Sequence, residues 1–257
     1  SLLPEDLSGI PVPDLQTRMA IWLKSEFWPD VERDGKRGII CFDELSDANR
    51  AIQSCAYKII LERQHLPKAC YPVAAGNRRE DCAAAGAIST ALANRFAHVT
   101  IEPDVETTID YFNSIGVDPL IPGFLRFRPA LLHSMEGANL LAFPTPRAWE
   151  QVGKVVRAPV GMRFKLVRGL VGEGAAGEFE AYAKVDNLPS LDEIVANPTR
   201  CKIPSEPGSK YALSSMLARF AVRKNFDAIS LYIKREEFGR DFEICTVLDA
   251  TKRDASL

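Results

Sequence analysis

Two short apolar runs, GIICF at 38–42 and YPVAAGN at 71–77, flank a single amphipathic segment, and this arrangement restricts the fold more than any other part of the chain. Apolar runs of four to eight residues are the pattern of strands covered on both faces, as in parallel sheets. Between them, DANRAIQSCAYKIILER (47–63) brings Ile52, Cys55, Ala56, Ile59 and Ile60 onto one helical face. Ser46 or Asp47 is its expected N-cap. A strand, a crossover helix and a second strand make a parallel unit, so the two runs are expected side by side. A short helix over ISTALANRF (88–96), opened by Ser89 or Thr90, and a third strand, AHVTIEP (97–103), continue the α/β alternation.

The chain on either side reads differently. Residues 1–37 are rich in Pro, Asp and Gly and are expected to be long connections with little regular structure. After Pro103 nine amphipathic segments, from VETTIDYFNSIG to DFEICTVLDATKR, suit short helices separated mostly by Pro and Gly. Two parts are therefore expected, an α/β part over 1–102 and an all-helical part over 103–257. The mixed-sign run KREEFGRD reads as a solvated helix face.

Charge and composition remove several function classes. A formal charge of −2 and a pI near 6.0 provide no basic field for nonspecific nucleic-acid binding. The six cysteines, Cys41, Cys55, Cys70, Cys82, Cys201 and Cys245, show no C-x-x-C spacing, which fits a reducing cytoplasm better than disulfides or zinc. His65, His98 and His133 are too dispersed to suggest a metal cluster and read as structural. No apolar run approaches the ~18 residues of a membrane helix, and no signal peptide opens the chain.

The chemistry gathers behind the two strands. GIICF runs directly into Asp43 and Glu44, which is either an acidic turn or a pair of carboxylates where open α/β sheets bind ligands. A metal ion is one candidate partner for them. Asn77 ends the second strand, so its carboxamide is expected near those acids, able to orient a water or touch a phosphate. Arg95 closes the short helix ISTALANRF, and Arg147 follows Pro146 in the first turn of a later helix. Acids for metal and water, an amide positioner and two arginines form an inventory for phosphoryl transfer.

Over roughly residues 4–150 the chain resembles the AAA+ ATPases of the MoxR-like branch. The similar stretches are PEDLSGIP, GIICFDELSDANRAIQSCAYKIILER, PVAAGNRRED, STALANRFAHVTIEPD and FPTPRAW. The resemblance implies an AAA+ P-loop-type parallel-sheet core followed by an all-α lid and a C-terminal helical region. By that likeness GIICFDEL is a Walker B strand, with Asp43 helping to hold Mg²⁺ and Glu44 polarising the attacking water. Asn77 falls on the sensor-1 position, Arg95 on the arginine finger, and Arg147 on sensor 2. The implied cofactors are ATP/ADP and Mg²⁺. The implied assembly is a homo-oligomeric ring, usually a hexamer, that remodels or matures other proteins in a chaperone-like way, with a von Willebrand A-domain protein as a frequent partner.

The chain departs from that family in one respect above all. No G-x-x-x-x-G-K-[ST] occurs in its 257 residues. In the family that loop follows a strand lying between those that end here at Asn77 and Pro103. Without it, backbone groups would be left unpaired in the core, so the expectation is a piece of a longer protein that by itself binds ATP poorly. The helix cap reads DELSDAN rather than the commoner DE-I-N-R-A, and the connection RQHLPKAC is short for the family. Three functions stay open: an ATP-hydrolysing remodelling motor, a nucleotide-blind AAA-like scaffold or adaptor, and a DNA-directed clamp-loader-like ATPase.

Overall fold

The computed structural model describes residues 3–63, 65–77, 88–135, 141–184 and 188–257. Cys82 and the R-R-E-D end of PVAAGNRRED lie outside these residues. The chain divides into two compact units, Ser1–Thr100 and Ile101–Leu257.

The first unit opens with α1 (Pro4–Ser8), a hairpin of β1 (Ile10–Asp14) and β2 (Met19–Leu23), and α2 (Val31–Asp34). The parallel unit follows: β3 (Arg37–Phe42), α3 (Arg50–Glu62) and β4 (Ala69–Ala74), then the short α4 (Thr90–Ala93). β3 and β4 pair in parallel from Arg37 opposite Ala69 to Phe42 opposite Ala74. Ile52, Ala56 and Ile59 of α3 are buried against this sheet, while Cys55 and Ile60 are half-buried. Leu7 and Trp28 complete the core, with the Trp28 indole N–H donating to the Leu7 carbonyl at 2.8 Å.

Four expectations are corrected here. First, the opening residues are not featureless. IPVPD and MAIWL form an antiparallel ladder, closed by an Asp14 carboxylate that accepts from Gln16 N at 2.9 Å and Thr17 Oγ1 at 2.7 Å. The aspartate turn supplied the fold-back that a Pro- and Asp-rich composition disguised. Second, α3 is capped by Asn49, whose side chain accepts from Ile52 N at 3.0 Å, and not by Ser46 or Asp47. Those two residues are engaged elsewhere.

Third, β3 and β4 are covered on one face only. Ile40 and Phe42 turn towards the core, but Ile39 is 73 % exposed, and Cys41, Tyr71 and Val73 are exposed with it. Pro72 in β4 has no N–H to donate, which suits a strand at the edge of a sheet. Fourth, AHVTIEP forms no strand. Val99 and Ile101 stand 84 % and 89 % exposed, with no ladder partner among the described residues. A strand exists only where a neighbour accepts its hydrogen bonds, and residue pattern alone does not provide one.

Each of the nine segments expected to be helical carries a helix in the second unit: α5 (Val105–Ile115), α6 (Leu120–Phe127), α7 (Pro146–Val155), α8 (Val160–Val171), α9 (Glu173–Ala183), α10 (Leu191–Ala196), α11 (Pro207–Phe220), α12 (Arg223–Ile233) and α13 (Arg240–Arg253). One core gathers Phe112, Phe124, Trp149, Phe179 and Tyr182; a second gathers Leu213, Leu217, Ile229, Tyr232 and Phe238. Gly123 lets α6 approach α11, since a Cβ there would lie 3.0 Å from the Tyr211 carbonyl oxygen and 3.1 Å from the Ala212 Cα. Among the described residues no helix is long and apolar enough to cross a membrane.

Candidate active site

The backbone first brings the ends of β3 and β4 together. Beyond the ladder, Ala75 N donates to the Phe42 carbonyl at 3.0 Å, and Leu45 N donates to the Ala75 carbonyl at 3.0 Å. The turn after β3 bends sharply at Glu44, which adopts a left-handed backbone with φ of +52°. For a residue other than glycine that conformation costs of order 1–3 kcal/mol and persists only where the surroundings enforce it. Leu45, buried among Ala56 and Leu92, and the Asp47 N–H donating to the Glu44 carbonyl at 3.0 Å supply that enforcement.

The side chains then meet. The Asn77 carboxamide Nδ2 donates to Glu44 Oε2 at 3.0 Å and reaches Asp47 Oδ2 at 3.5 Å. Asn77 N donates to Ser46 Oγ at 3.2 Å, and Ser46 Oγ in turn lies 3.2 Å from Asp47 Oδ1. Both acid acceptors take the NH₂ end of the amide, so its carbonyl oxygen Oδ1 is left without a partner among the described residues, an orientation assigned from the hydrogen-bond network. Asp43 is exposed at the end of β3, and its carboxylate accepts no hydrogen bond from the described residues.

Arg95 does not join this group in the same way. It follows α4, whose first turn is capped by Ser89 accepting from Leu92 N at 3.3 Å. Its guanidinium lies against α3, with Nη2 donating to the Tyr57 hydroxyl at 3.1 Å and the guanidinium carbon 5.3 Å from the Tyr57 ring centre. Stacking of this kind at an exposed site is worth about 0.5–1 kcal/mol, so it parks the arginine without locking it.

Arg147 belongs to the helical unit. Thr145 caps α7 by accepting from Ala148 N at 3.0 Å, and Pro146 occupies the first turn, leaving Arg147 exposed. It borders a cleft of about 470 Å³ that also takes in Asp104, Thr107, Thr108 and Tyr111 of the α5 end. Two helix N-termini and the guanidinium there face three carboxylates, Glu102, Asp104 and Glu150, so the lining carries a formal negative charge. The Asp104 carboxyl, which caps α5, is held below the usual range chiefly by the Thr107 amide.

Glu44 and Asn77 are therefore brought together, with Asp43 beside Glu44 in the chain, while Arg95 is placed on Tyr57. Ser46 and Asp47 were missed as members of the group, because Ser and Asp ahead of an apolar stripe are strong capping signals. The available signal was Asn49, a third capping residue placed three positions before Ile52, which frees the other two. Comparison with protein-family models, with curated proteins and with solved structures finds no match to this chain.

Proposed function

We propose that this chain is the Walker B-to-lid portion of a MoxR-like AAA+ ATPase, in which Glu44 and Asn77 hold the water that attacks the terminal phosphate of ATP. The supporting observation is the 3.0 Å bond from Asn77 to Glu44 across the C-terminal ends of two parallel strands, the place where open α/β sheets bind ligands. Glu44 receives the water's proton, Asn77 fixes the direction of its carboxylate, and the Asn77 Oδ1 offers the same water a second acceptor.

The residues fit a magnesium nucleotide. Magnesium usually binds through one or two carboxylates and keeps several waters, instead of filling a protein cage. Among the described residues no three His, Cys, Asp or Glu side chains converge, and one exposed carboxylate, Asp43, meets that smaller demand. Asp43 would hold the ion through water and Asn77 would touch phosphate, while Arg147 keeps the sensor-2 role that the resemblance implies. The bound nucleotide would supply the phosphoryl group and the ion its charge. Arg95 would act on the site of a neighbouring subunit in a homo-oligomeric, hexameric ring working in the cytoplasm. The ring would remodel client proteins, with a von Willebrand A-domain protein as partner.

Hydrolysis also needs a phosphate loop, which none of the 257 residues supplies. The experiment is Glu44→Gln in a polypeptide that carries such a loop as well as this chain. Nucleotide affinity should persist while turnover falls about 10²–10⁴-fold, the scale of a positioned general base. Unchanged turnover would remove the proposal. The missing loop favours a second reading, a nucleotide-blind scaffold, for which no Glu44 variant would alter any nucleotide-dependent signal.

A further inference from the structure

We propose that Ser46 is the positioning residue of the site: its hydroxyl, fitted against Gly76, sets where Asn77 stands and so holds the Asn77 amide on Glu44. The inference rests on reading Glu44 and Asn77 as the pair that orients water.

Backbone pairing between the two strand ends stops at Ala75, two residues short of Asn77. Past that point, the Asn77 main chain has one anchor among the described residues, the Ser46 Oγ that accepts its N–H at 3.2 Å. Asn77 is exposed, and the contacts of its side chain among the described residues are the bonds to Glu44 and Asp47. A freely turning amide would spend little time on Glu44. The Ser46 hydroxyl is itself directed, lying 3.2 Å from Asp47 Oδ1 as donor while accepting from Asn77. Asp47 adds a second acceptor for the same amide at 3.5 Å. Ser46 thus ties together the main chain of Asn77 and an acid that receives its side chain.

Gly76 closes the fit. A Cβ placed there would lie 2.7 Å from Ser46 Oγ, 3.0 Å from Ser46 Cβ and 3.3 Å from Ser46 N. The Gly76 backbone lies outside the left-handed region, so it is space, and not backbone conformation, that excludes a side chain. A methyl group at 76 has to push either the hydroxyl or the strand end away. Both neighbours of Asn77's anchor are therefore matched in size, and disturbing either should release the same amide.

The test uses this chain, labelled with ¹⁵N, and follows the side-chain NH₂ signal of Asn77, assigned by its loss in Asn77→Ala. In the wild-type background Glu44→Gln replaces a charged acceptor by a neutral one and should shift that signal. In Ser46→Ala, and separately in Gly76→Ala, the shift produced by Glu44→Gln should shrink at least twofold while the backbone spectrum keeps its dispersion. Ser46→Thr, which keeps a hydroxyl, should restore it. Ser46→Gly combined with Gly76→Ala relieves the two closest contacts without restoring the bond, so its response should stay small. A full-sized response in Ser46→Ala and Gly76→Ala would overturn the inference. Turnover of a loop-bearing polypeptide separates this from failure of the hydrolytic reading. If Glu44→Gln abolishes hydrolysis yet Ser46→Ala changes neither kcat nor its ratio to KM, the inference alone falls. If the NMR coupling is present but Glu44→Gln leaves hydrolysis intact, the hydrolytic reading falls and the positioning role stands.

Discussion

Replacing Asp249 by alanine should destabilise the helical unit far more than replacing Glu106, although both carboxylates bind the same arginine. Arg126 of α6 is 5 % exposed at its side chain. Its Nη1 and Nη2 donate to the two Asp249 oxygens at 2.7 and 2.9 Å, a bidentate pair, and Asp249 is 4 % exposed. Glu106 takes the remaining edge, from Nε at 3.0 Å and Nη2 at 2.7 Å, but is 59 % exposed. Burial disfavours the guanidinium charge, and the two carboxylates more than reverse this, so the arginine's pKa ends above its ordinary value. Truncating Asp249 leaves a buried cation with one solvent-screened partner. Breaking a buried pair in this way costs about 3–5 kcal/mol, whereas an exposed partner is worth about 0–1 kcal/mol. For a domain of about 150–250 residues those figures correspond to roughly 6–20 °C in Tm against at most about 4 °C. Urea melts followed by far-ultraviolet circular dichroism, with m values compared, measure both. Arg126→Met combined with Asp249→Leu should recover most of the loss, because neither charge is then stranded. Equal effects from Asp249→Ala and Glu106→Ala would show that burial does not govern this cluster.

Gly123→Ala should cost about 1–3 kcal/mol, since the added methyl meets the backbone of α11 and a Tyr182 hydroxyl 2.5 Å away; a neutral effect in the same melts would mean the helices part freely. Burial, with Lys24 adding to it, holds His65 below its ordinary 6.5. The unfolded chain therefore takes up that proton first, and stability of the first unit should decline as pH falls below about 6.5 towards the folded value. His65→Asn should flatten the difference in urea midpoint between about pH 7.5 and about 5.5, and an unaltered slope would exclude His65 as its source. On the proposed ring reading, Arg95→Ala and Glu44→Gln, each made in a loop-bearing polypeptide, should be inactive alone and partly active when mixed, because mixed rings would pair an intact Glu44 with an intact Arg95. Arginine fingers contribute about 10³–10⁵ in rate, so recovery is easily read; a dead mixture with proven subunit exchange refutes action between subunits.

Local signals were legible where the sequence supplies both the element and its neighbour. The crossover helix and the parallel pairing of β3 and β4 follow from one apolar stripe between two apolar runs, and the meeting of Asn77 with Glu44 follows from that pairing. AHVTIEP failed because alternating Val99 and Ile101 announce a strand but cannot supply the strand beside it. The hairpin at Ile10–Leu23 was obscured by Pro11 and Pro13, which remove two donors yet fit a two-stranded ladder with open edges. Ser46 escaped notice because capping and bridging require the same hydroxyl chemistry, and only the position of Asn77 in space separates them. Arg95 was readable as an exposed cation, but its contact with Tyr57 depends on two elements 38 residues apart.

The pairing of Arg126 with Asp249 also sets a clock. The two residues lie 123 positions apart in the chain, and a ribosome adding about 5–20 residues per second delivers the aspartate roughly 6–25 s after the arginine. Throughout that interval α6 carries a guanidinium whose buried partner has not been made, next to the apolar face of Ile121, Phe124 and Leu125. Desolvating that cation early is unfavourable, so α6 has no reason to bury itself against the wrong neighbour. The buried ion pair can form only once α13 has left the ribosome, and a nascent chain stalled before Asp249 should be more open to proteases at α6 than the finished one.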